Sequence, residues 1–478
     1  MNVLLLNPSA STKKNAGIYS KSMSPMPPLG IALLASIARN KGHTVIVEDQ
    51  YANNKTTDEI TKIVIEKKIN LIGISCLTPS MNVVEELVQK IKNTSLKTHI
   101  TLGNVHATIF AKELIKQLPI DSIIAGEGEK HFNDLLDTLV REDNFKGIYG
   151  IDNINQKTIP SKSDLNKLPL PAWDLFDLKY YTAPSRFPIQ GITLSVQTSR
   201  GCPFSCDYCS QNLLTPQIRK RDMKKVVEEI EYIYHNLGVK NFGIQDAIFP
   251  LSLSDGYDFC RYLKQKSLDK EIKWFMETKA ELVNYDLLKE FKVCGLQFIL
   301  FGFESANPKH LETVNKKVNI EKNFEVVNYL KKLDIKSYGL FMIGFANETL
   351  EDAISTINLA LKLDCEVASF SRVTPYPGTK LYEKHKHLFP LEKIPPTHWN
   401  NQYRPSKGEI TWHLPGLSCQ QINTLLSKAM IRYYLRPKMI LRHIFKSKSS
   451  FSLKELLRGG SYLFIELIKL LFRSASIK

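Results

Sequence analysis

Three cysteines, Cys202, Cys206 and Cys209, lie within the run Thr-Ser-Arg-Gly-Cys-Pro-Phe-Ser-Cys-Asp-Tyr-Cys-Ser, a C-x3-C-x2-C spacing. Thiolates this close together on one loop suit an iron–sulfur cluster. A [4Fe-4S] cube held by three cysteines leaves one iron without a protein ligand, and an open metal position is where a site binds and activates something else. Zinc asks for four ligands, usually in two separated pairs, and the chain has no second Cys-x-x-Cys pair. A zinc knuckle, or three unrelated buried thiols, is the alternative reading of the triplet. The other cysteines, Cys76, Cys260, Cys294, Cys365 and Cys419, are scattered singly and read as small core residues.

The elements around this loop follow a repeating pattern. A strand at 193–198 ends just before the cysteines, and further strands fall at 241–245, 272–276, 297–302, 337–343 and 367–373. Helical patterns at 222–237, 255–267, 284–293, 320–333 and 349–363 separate them. Six β-α repeats suggest a partial (βα)6 barrel with right-handed crossovers, and such barrels gather catalytic groups at the carboxyl ends of their strands. Polar residues stand at those ends: Asp246, then Glu277 and Lys279, then Glu304 and Ser305 after Gly302, then Arg372.

The first third repeats the rhythm. Strands at 3–6, 44–47, 71–75, 99–102 and 122–124 alternate with helices after Pro27-Pro28 and at 57–68, 81–93, 108–117 and 128–141. This predicts a doubly wound parallel sheet, Rossmann-like, with helices on both faces. Ligands bind such sheets at the carboxyl ends of the strands, in the loops Asn7–Ser11, Ser75–Ser80, Gly103–His106 and Gly126–Glu129. Residues 146–190 lose the rhythm, and Leu-Pro-Leu-Pro-Ala-Trp-Asp (168–174) reads as an ordered linker. The expected division is residues 1–145, a linker at 146–190, the barrel at 191–414 and a helical C-terminal segment at 415–478.

The cysteine spacing in this setting resembles the radical S-adenosylmethionine enzymes. In that superfamily the open iron takes the amino and carboxylate groups of S-adenosylmethionine, and the reduced cluster cleaves a C–S bond to give a 5′-deoxyadenosyl radical. Gly-Phe-Glu-Ser (302–305) and Pro-Tyr-Pro-Gly-Thr (375–379) match signatures of the family. The resemblance implies catalytic cluster ligands at Cys202, Cys206 and Cys209. It implies cofactor contacts at Asp246, Glu277, Lys279, Gly302, Glu304, Ser305 and Arg372, with Phe204 and Tyr208 shielding the cluster; salt bridges, caps and plain packing are the bland alternatives. Three features depart from the pattern. Lys279 stands where the family often has arginine, so a bidentate contact becomes a point charge. Gln245–Phe249 lacks a second acid, and Gly-Phe-Ala-Asn-Glu-Thr (344–349) replaces Gly-x-Pro-Gly-Glu-Thr.

Residues 1–145 resemble the cobalamin-binding domain that precedes the radical domain in one class of these enzymes. The match rests on Pro-Pro-Leu-Gly-Ile-Ala-Leu-Leu-Ala (27–35), Gly-Asn-Val-His-Ala (103–107) and Gly-Glu-Gly-Glu (126–129). It implies cofactor contacts at Pro8, Ser75, Thr78, Gly103, His106, Gly126, Glu127 and Gly128, where small residues let backbone approach the corrin. The Asp-x-His-x-x-Gly motif that supplies a cobalt ligand elsewhere is absent, as is common in the class. His106 is read as a hydrogen-bonding loop histidine, with a cobalt ligand as the alternative.

Composition bounds the rest. The chain has 478 residues, of which 43% are hydrophobic, and a net charge of +16. No basic stripe interleaved with aromatics stands out in the first 400 residues, so nucleic acid is not an expected partner. No run of about 18 apolar residues is present, so nothing is expected to span a membrane. Unpaired cysteines and an N-terminus read as a strand rather than a signal point to a reducing cytoplasm. In the C-terminal segment, basic residues after Tyr433 precede the apolar run 462–472. This pair reads either as a lid packed on the barrel or as a peripheral contact with an anionic membrane.

The leading expectation is therefore a cobalamin-dependent radical S-adenosylmethionine methyltransferase acting on an unactivated carbon of a small molecule or lipid. Flavodoxin or ferredoxin would serve as electron donor. The alternatives are a ring-forming, rearranging or oxidising radical enzyme, and a non-catalytic cobalamin- or redox-sensing protein.

Overall fold

The computed structural model describes residues 1–9, 26–95, 97–141, 146–150, 163–182, 189–390, 393–400 and 412–446, with side-chain surroundings given to 442. Ser11 of the first loop and the apolar run 462–472 lie outside the described residues.

The N-terminal region alternates β1 (Asn2–Asn7), α1 (Leu29–Asn40), β2 (Thr44–Asp49), α2 (Thr57–Glu66), β3 (Leu71–Ser75) and α3 (Met81–Thr94). It continues through β4 (His99–Gly103), α4 (Asn104–Ile109), α5 (Ala111–Gln117), β5 (Ser122–Ile124), α6 (Gly128–Arg141) and β6 (Gly147–Tyr149). The six strands form one parallel sheet in the order β2-β1-β3-β4-β5-β6. Its central strands are continuous apolar runs because both faces are covered. Val3, Leu5 and Leu71 pack under α1 and α6, while Leu4, Leu6, Ile72 and Ile74 pack under α2 and α3. Thr56 and Glu59 close a reciprocal cap at the start of α2.

The sequence reading missed β6. It is a short edge strand inside the stretch assigned to the linker, and three half-buried residues carry too little pattern to announce it. The linker that follows docks rather than dangles. Ala172 N–H donates to Ala32 O at 3.0 Å, and Tyr181 O–H donates to Asp49 Oδ2 at 2.8 Å. Trp173 is buried in a core shared by both halves of the molecule.

The second region opens with β7 (Thr193–Val196) and the paired short strands β8 (Ser199–Arg200) and β9 (Arg219–Lys220). Then come α7 (Met223–Leu237), β10 (Asn241–Ile244), α8 (Leu253–Gln265), β11 (Lys273–Thr278), α9 (Tyr285–Val293) and β12 (Leu296–Glu304). It ends with α10 (Ile320–Lys332), β13 (Lys336–Ile343), α11 (Leu350–Leu363) and β14 (Val367–Arg372). The six long strands form a second parallel sheet, β7-β10-β11-β12-β13-β14, the open barrel read from the sequence. Side chains alternate along them. On β11 to β13, Trp274, Met276, Phe301, Phe341 and Ile343 are buried against the helices. Phe275, Glu277, Leu300, Tyr338, Leu340 and Met342 face the lumen and stay half-buried.

α12 (Cys419–Tyr434) packs along β13, β14 and α11, followed by α13 (Pro437–Lys446). Tyr433 O–H donates to Cys365 O at 2.6 Å and Tyr434 O–H to Ala368 O at 2.7 Å. This part of the tail braces the open edge of the barrel and reaches the turn after β13, where Asn347 N–H donates to Pro415 O at 2.6 Å. No helix among the described residues is long and apolar enough to cross a membrane.

Candidate active site

The three cysteines occupy the loop between β8 and β9. Cys202 and Cys206 are half-buried and Cys209 is exposed. Antiparallel pairing of Ser199 with Lys220 and of Arg200 with Arg219 closes the loop's neck. Gly201 turns there at φ +87°, where a Cβ would lie 2.6 Å from Gln217 O. Asn315 Nδ2 donates to Ser205 Oγ at 2.7 Å, and Asp207 N–H donates to Val314 O at 2.9 Å, pinning the loop to the turn after β12.

The donor set fits a cluster. Among the described residues, Cys260, Glu290 and Cys294 bring their ligand atoms within 4.8 Å of one another; the cysteines of the loop do not close to that spacing. A multi-iron cube spans a wider gap than a single ion, and thiolates are its usual ligands. Cys260 and Cys294 sit in the helical layer outside the barrel, where Lys264 takes Glu290, and they remain core residues.

Around the loop, Glu304 adopts a left-handed backbone, φ +58°, and is buried. Its Oε1 accepts from Lys316 Nζ at 2.6 Å and from Tyr208 O–H at 3.1 Å. Gly302 leaves room for this pair, since a Cβ would meet Glu304 Oε1 at 2.5 Å and Lys316 Nζ at 2.7 Å and displace them. Burial alone would lower the Lys316 ammonium, yet Glu304 beside it holds it above its usual value. Burial, then Glu304, raises the Tyr208 phenol. Glu277 faces the lumen from β11, and burial, reinforced by Glu304, pushes its carboxyl up to about 7. Lys279 Nζ stands 4.1 Å from the centre of the Phe204 ring and donates to Lys317 O at 3.0 Å. Phe204, Tyr208, Glu277, Lys279, Gly302 and Glu304 are thus brought together at the cysteine loop.

Four expected cofactor contacts are engaged by other side chains in this structure. Asp246 is saturated: it accepts from Thr198 N–H at 2.8 Å, Thr198 Oγ1 at 2.5 Å and Ser199 Oγ at 2.6 Å, so it anchors the neck of the loop. Ser305 is fully buried and turns its hydroxyl to Thr356 on α11, 3.3 Å away, while accepting from Asn307 N–H. Arg372 shares the parity of Phe370, which faces Tyr433 of α12. Its guanidinium lies 5.0 Å from the Trp412 ring and donates to Asn423 Oδ1 at 3.1 Å, on the outer side of β14. Glu127 is an ion-pair partner of Arg200, at 3.0 Å, and of Arg219.

The other N-terminal candidates gather at the carboxyl end of the first sheet. Pro8 is buried at the end of β1. Ser75 Oγ accepts from Asn104 Nδ2 at 2.9 Å. Thr78 Oγ1 and His106 Nδ1 lie 3.0 Å apart, and the His106 ring packs on Phe110. Burial holds the His106 imidazole down at about 4, so it is neutral at pH 7. Gly103 begins α4, Gly128 begins α6, and Gly126, at φ +76°, donates to Thr108 Oγ1 at 2.9 Å. Leu77 leaves an apolar side chain 41% exposed in the same loops. Small residues beside the exposed Leu77 side chain suit close approach of a large flat ligand such as a corrin.

This sheet end faces the cysteine loop. The helical turn Gln211–Leu214, just past Cys209, packs on α4. At Gly378 of the Pro-Tyr-Pro-Gly-Thr turn, a Cβ would meet Ile109 of α4 at 2.8 Å and Leu213 at 3.2 Å.

The sequence reading missed Lys316, Arg200, Arg219 and the partners of Glu127. The only signal for Lys316 was a polar run, Asn315-Lys316-Lys317, one short helix beyond Gly-Phe-Glu-Ser. Arg200 stood inside the quoted motif, but nothing local names its distant acids.

Comparison with known proteins identifies the family. Residues 196–360 match the Radical SAM superfamily and residues 17–136 match the B12 binding domain. An uncharacterized methyltransferase of Pyrococcus horikoshii is 31% identical over 442 residues, covering 91% of this chain and 93% of that protein. The anaerobic magnesium-protoporphyrin IX monomethyl ester cyclase of Cereibacter sphaeroides is 28% identical, over 75% of this chain and 60% of the cyclase. Among solved structures, the radical S-adenosylmethionine methyltransferase TsrM from Kitasatospora setae, with cobalamin and a [4Fe-4S] cluster bound, shares the fold. Its TM-score is 0.67 at 15% identity, covering 91% of this chain and 89% of that one.

Proposed function

We propose, for a chain that belongs to the radical S-adenosylmethionine superfamily and carries a B12-binding domain ahead of its barrel, that it methylates an unactivated carbon of a small-molecule or lipid substrate. The observation that carries this reading is the apposition of the cysteine loop and the carboxyl end of the N-terminal sheet. Two facing cofactor surfaces would hold a substrate between them, and the 31% relative is named a methyltransferase.

Cys202, Cys206 and Cys209 would hold the cluster. The loops at Ser75–Thr78, Gly103–His106 and Gly126 would hold the corrin. When bound, the cluster supplies the electron that cleaves S-adenosylmethionine and the corrin carries a methyl group. The chain's own residues orient and shield. Lys279 offers an ammonium at the rim for the carboxylate of S-adenosylmethionine. Glu277, with its carboxyl near 7, keeps a proton on its carboxyl oxygen in part of the population at neutral pH, so it can donate as well as accept. The Lys316–Glu304–Tyr208 chain fixes the wall beside it without free charge. Phe204 and Tyr208 keep water from the thiols. Cys209 is the exposed ligand, the side from which a flavodoxin- or ferredoxin-type donor would deliver electrons. The thiol inventory suits the cytoplasm, and peripheral contact through the tail would reach a lipid substrate.

The cyclase relative favours one second reading, ring formation without methyl transfer. Product analysis after anaerobic turnover with methyl-labelled S-adenosylmethionine separates the two. Methyl transfer yields both 5′-deoxyadenosine and S-adenosylhomocysteine. Ring formation yields 5′-deoxyadenosine alone. A chain that makes neither contradicts both.

A further inference from the structure

The loop that carries the three cysteines is fastened on two sides at its neck. On the barrel side, Asp246 takes the backbone N–H and hydroxyl of Thr198 and the hydroxyl of Ser199. On the other side, the fastening comes from the N-terminal sheet. Arg200, two residues before Cys202, forks across two acids. Its Nη1 donates to Glu127 Oε2 at 3.0 Å and its Nη2 to Glu129 Oε1 at 2.5 Å. Arg219, from the opposite strand of the neck, takes the second oxygen of Glu127 and donates to Ser163 O at 3.1 Å. Two cations and two anions therefore balance. The four side chains are 8%, 16%, 4% and 11% exposed for Arg200, Arg219, Glu127 and Glu129, so the network is shielded from salt. Burial alone would raise the Glu129 carboxyl, and Arg200 holds it below its usual value instead.

Placement makes this more than a surface ion pair. Glu127 and Glu129 sit in the turn from β5 to α6, in the same loops that carry Gly126 and Gly128. A planar guanidinium bound to two carboxylates fixes direction as well as distance. A lysine here would keep the charge and lose the fork.

We infer that Arg200, clamped by Glu127 and Glu129, is a positioning residue that sets the separation between the cluster and the ligand of the N-terminal sheet. The inference rests on the two-cofactor reading above. It makes Glu127 a part of the clamp and not a contact of the corrin. The clamp acts on the neck and leaves the thiols free to bind iron.

The test uses the full chain loaded anaerobically with cluster and cobalamin. Wild type is compared with Arg200→Gln, Arg200→Lys and Glu129→Gln, after iron and corrin contents are matched. Pulsed electron paramagnetic resonance then reads the spin–spin distance between the reduced cluster and the paramagnetic corrin. Wild type should give one narrow distance. Arg200→Gln should lose it to a broad distribution, with both cofactors still bound, and Arg200→Lys should restore it in part. An unchanged distribution in Arg200→Gln would overturn the proposal, even if thermal stability fell. If Arg200→Gln does not fold, Glu129→Gln removes the charge and one of the two acceptors of that arm and should broaden the distribution to a smaller degree; no change there would overturn it equally. If wild type binds no corrin, the two-cofactor reading fails by itself. The clamp is then read from hydrogen exchange at residues 199–220 of the cluster-loaded chain, which should quicken about tenfold in the variant. Unchanged exchange would refute the clamp.

Discussion

At Gly302 a Cβ would press on the far ends of two buried side chains, the Glu304 carboxylate and the Lys316 ammonium, so the pair would have to shift. Separating a buried ion pair leaves two desolvated charges, which costs far more than an exposed pair contributes. Gly302→Ala should therefore weaken S-adenosylmethionine binding about tenfold or more while iron content stays near wild type. Equilibrium binding to the cluster-loaded chain measures this, and equal affinity would remove the pair from the site. Glu348 gives a pH signature. It is buried in the turn after β13, accepting from the N–H groups of Gly344 and Phe345, and burial pushes its carboxyl up to about 7 from 4.5. Between those values the folded chain holds a proton that the unfolded chain has released, so stability falls as pH rises through that window. The loss is about 3 kcal/mol in all. Glu348→Gln should reduce the dependence of Tm on pH between 4.5 and 7, leaving the same-signed part that Glu277 contributes. At this scale the sequence announced the cysteines, Glu277 and Glu304 through spacing and position. It was silent on Lys316 and on the side chains that engage Asp246, Ser305, Arg372 and Glu127. A polar residue at a strand end is visible in sequence; the side chain that engages it, 47 residues away for Ser199 on Asp246 and 73 for Arg200 on Glu127, is not.

Element by element, the reading held where periodicity was strong. The six barrel strands and their intervening helices lie within about two residues of the expected positions, a usual margin for pattern-based boundaries. It failed where elements are short. β6, β8 and β9 have two or three residues each, too few to display a period, and yet β8 and β9 form the neck that presents the cluster ligands. The segment after β14 shows the same limit. Arg372, Trp412 and Asn423 lock α12 to the open edge of the barrel, with Trp412 donating through Nε1 to His398 O at 3.0 Å. Trp412 is fully buried, so Trp412→Ala should cost about 3–5 kcal/mol. Trp412 shares its apolar cluster with Phe345 and Val373, and Tyr208 of the cysteine loop packs against it. Thermal unfolding followed by circular dichroism should therefore shift down, and an unchanged Tm would contradict the lock.

In the whole molecule the two sheets are not independent beads. The linker threads Trp173, Phe176 and Tyr181 into a core that also contains Leu5, Ala32 and Leu194, and Arg200 bolts the barrel's cluster loop to the first sheet. One cooperative thermal transition is expected for the wild-type chain. Trp173→Ala should split it into two, as the shared core opens before either sheet melts. The two-domain order was legible from composition and rhythm alone, but the apposition was not. It depends on Ile109, Leu213 and Gly378 meeting from three distant stretches of chain. That apposition is the basis of the account, and cofactor content after anaerobic production with iron, sulfide and hydroxocobalamin tests it most directly. Wild type should carry one [4Fe-4S] cluster and one equivalent of cobalamin, and Cys202→Ala should lose the iron while retaining the corrin. A chain that binds iron without cobalamin, or a Cys202→Ala chain that keeps its cluster, would contradict the account.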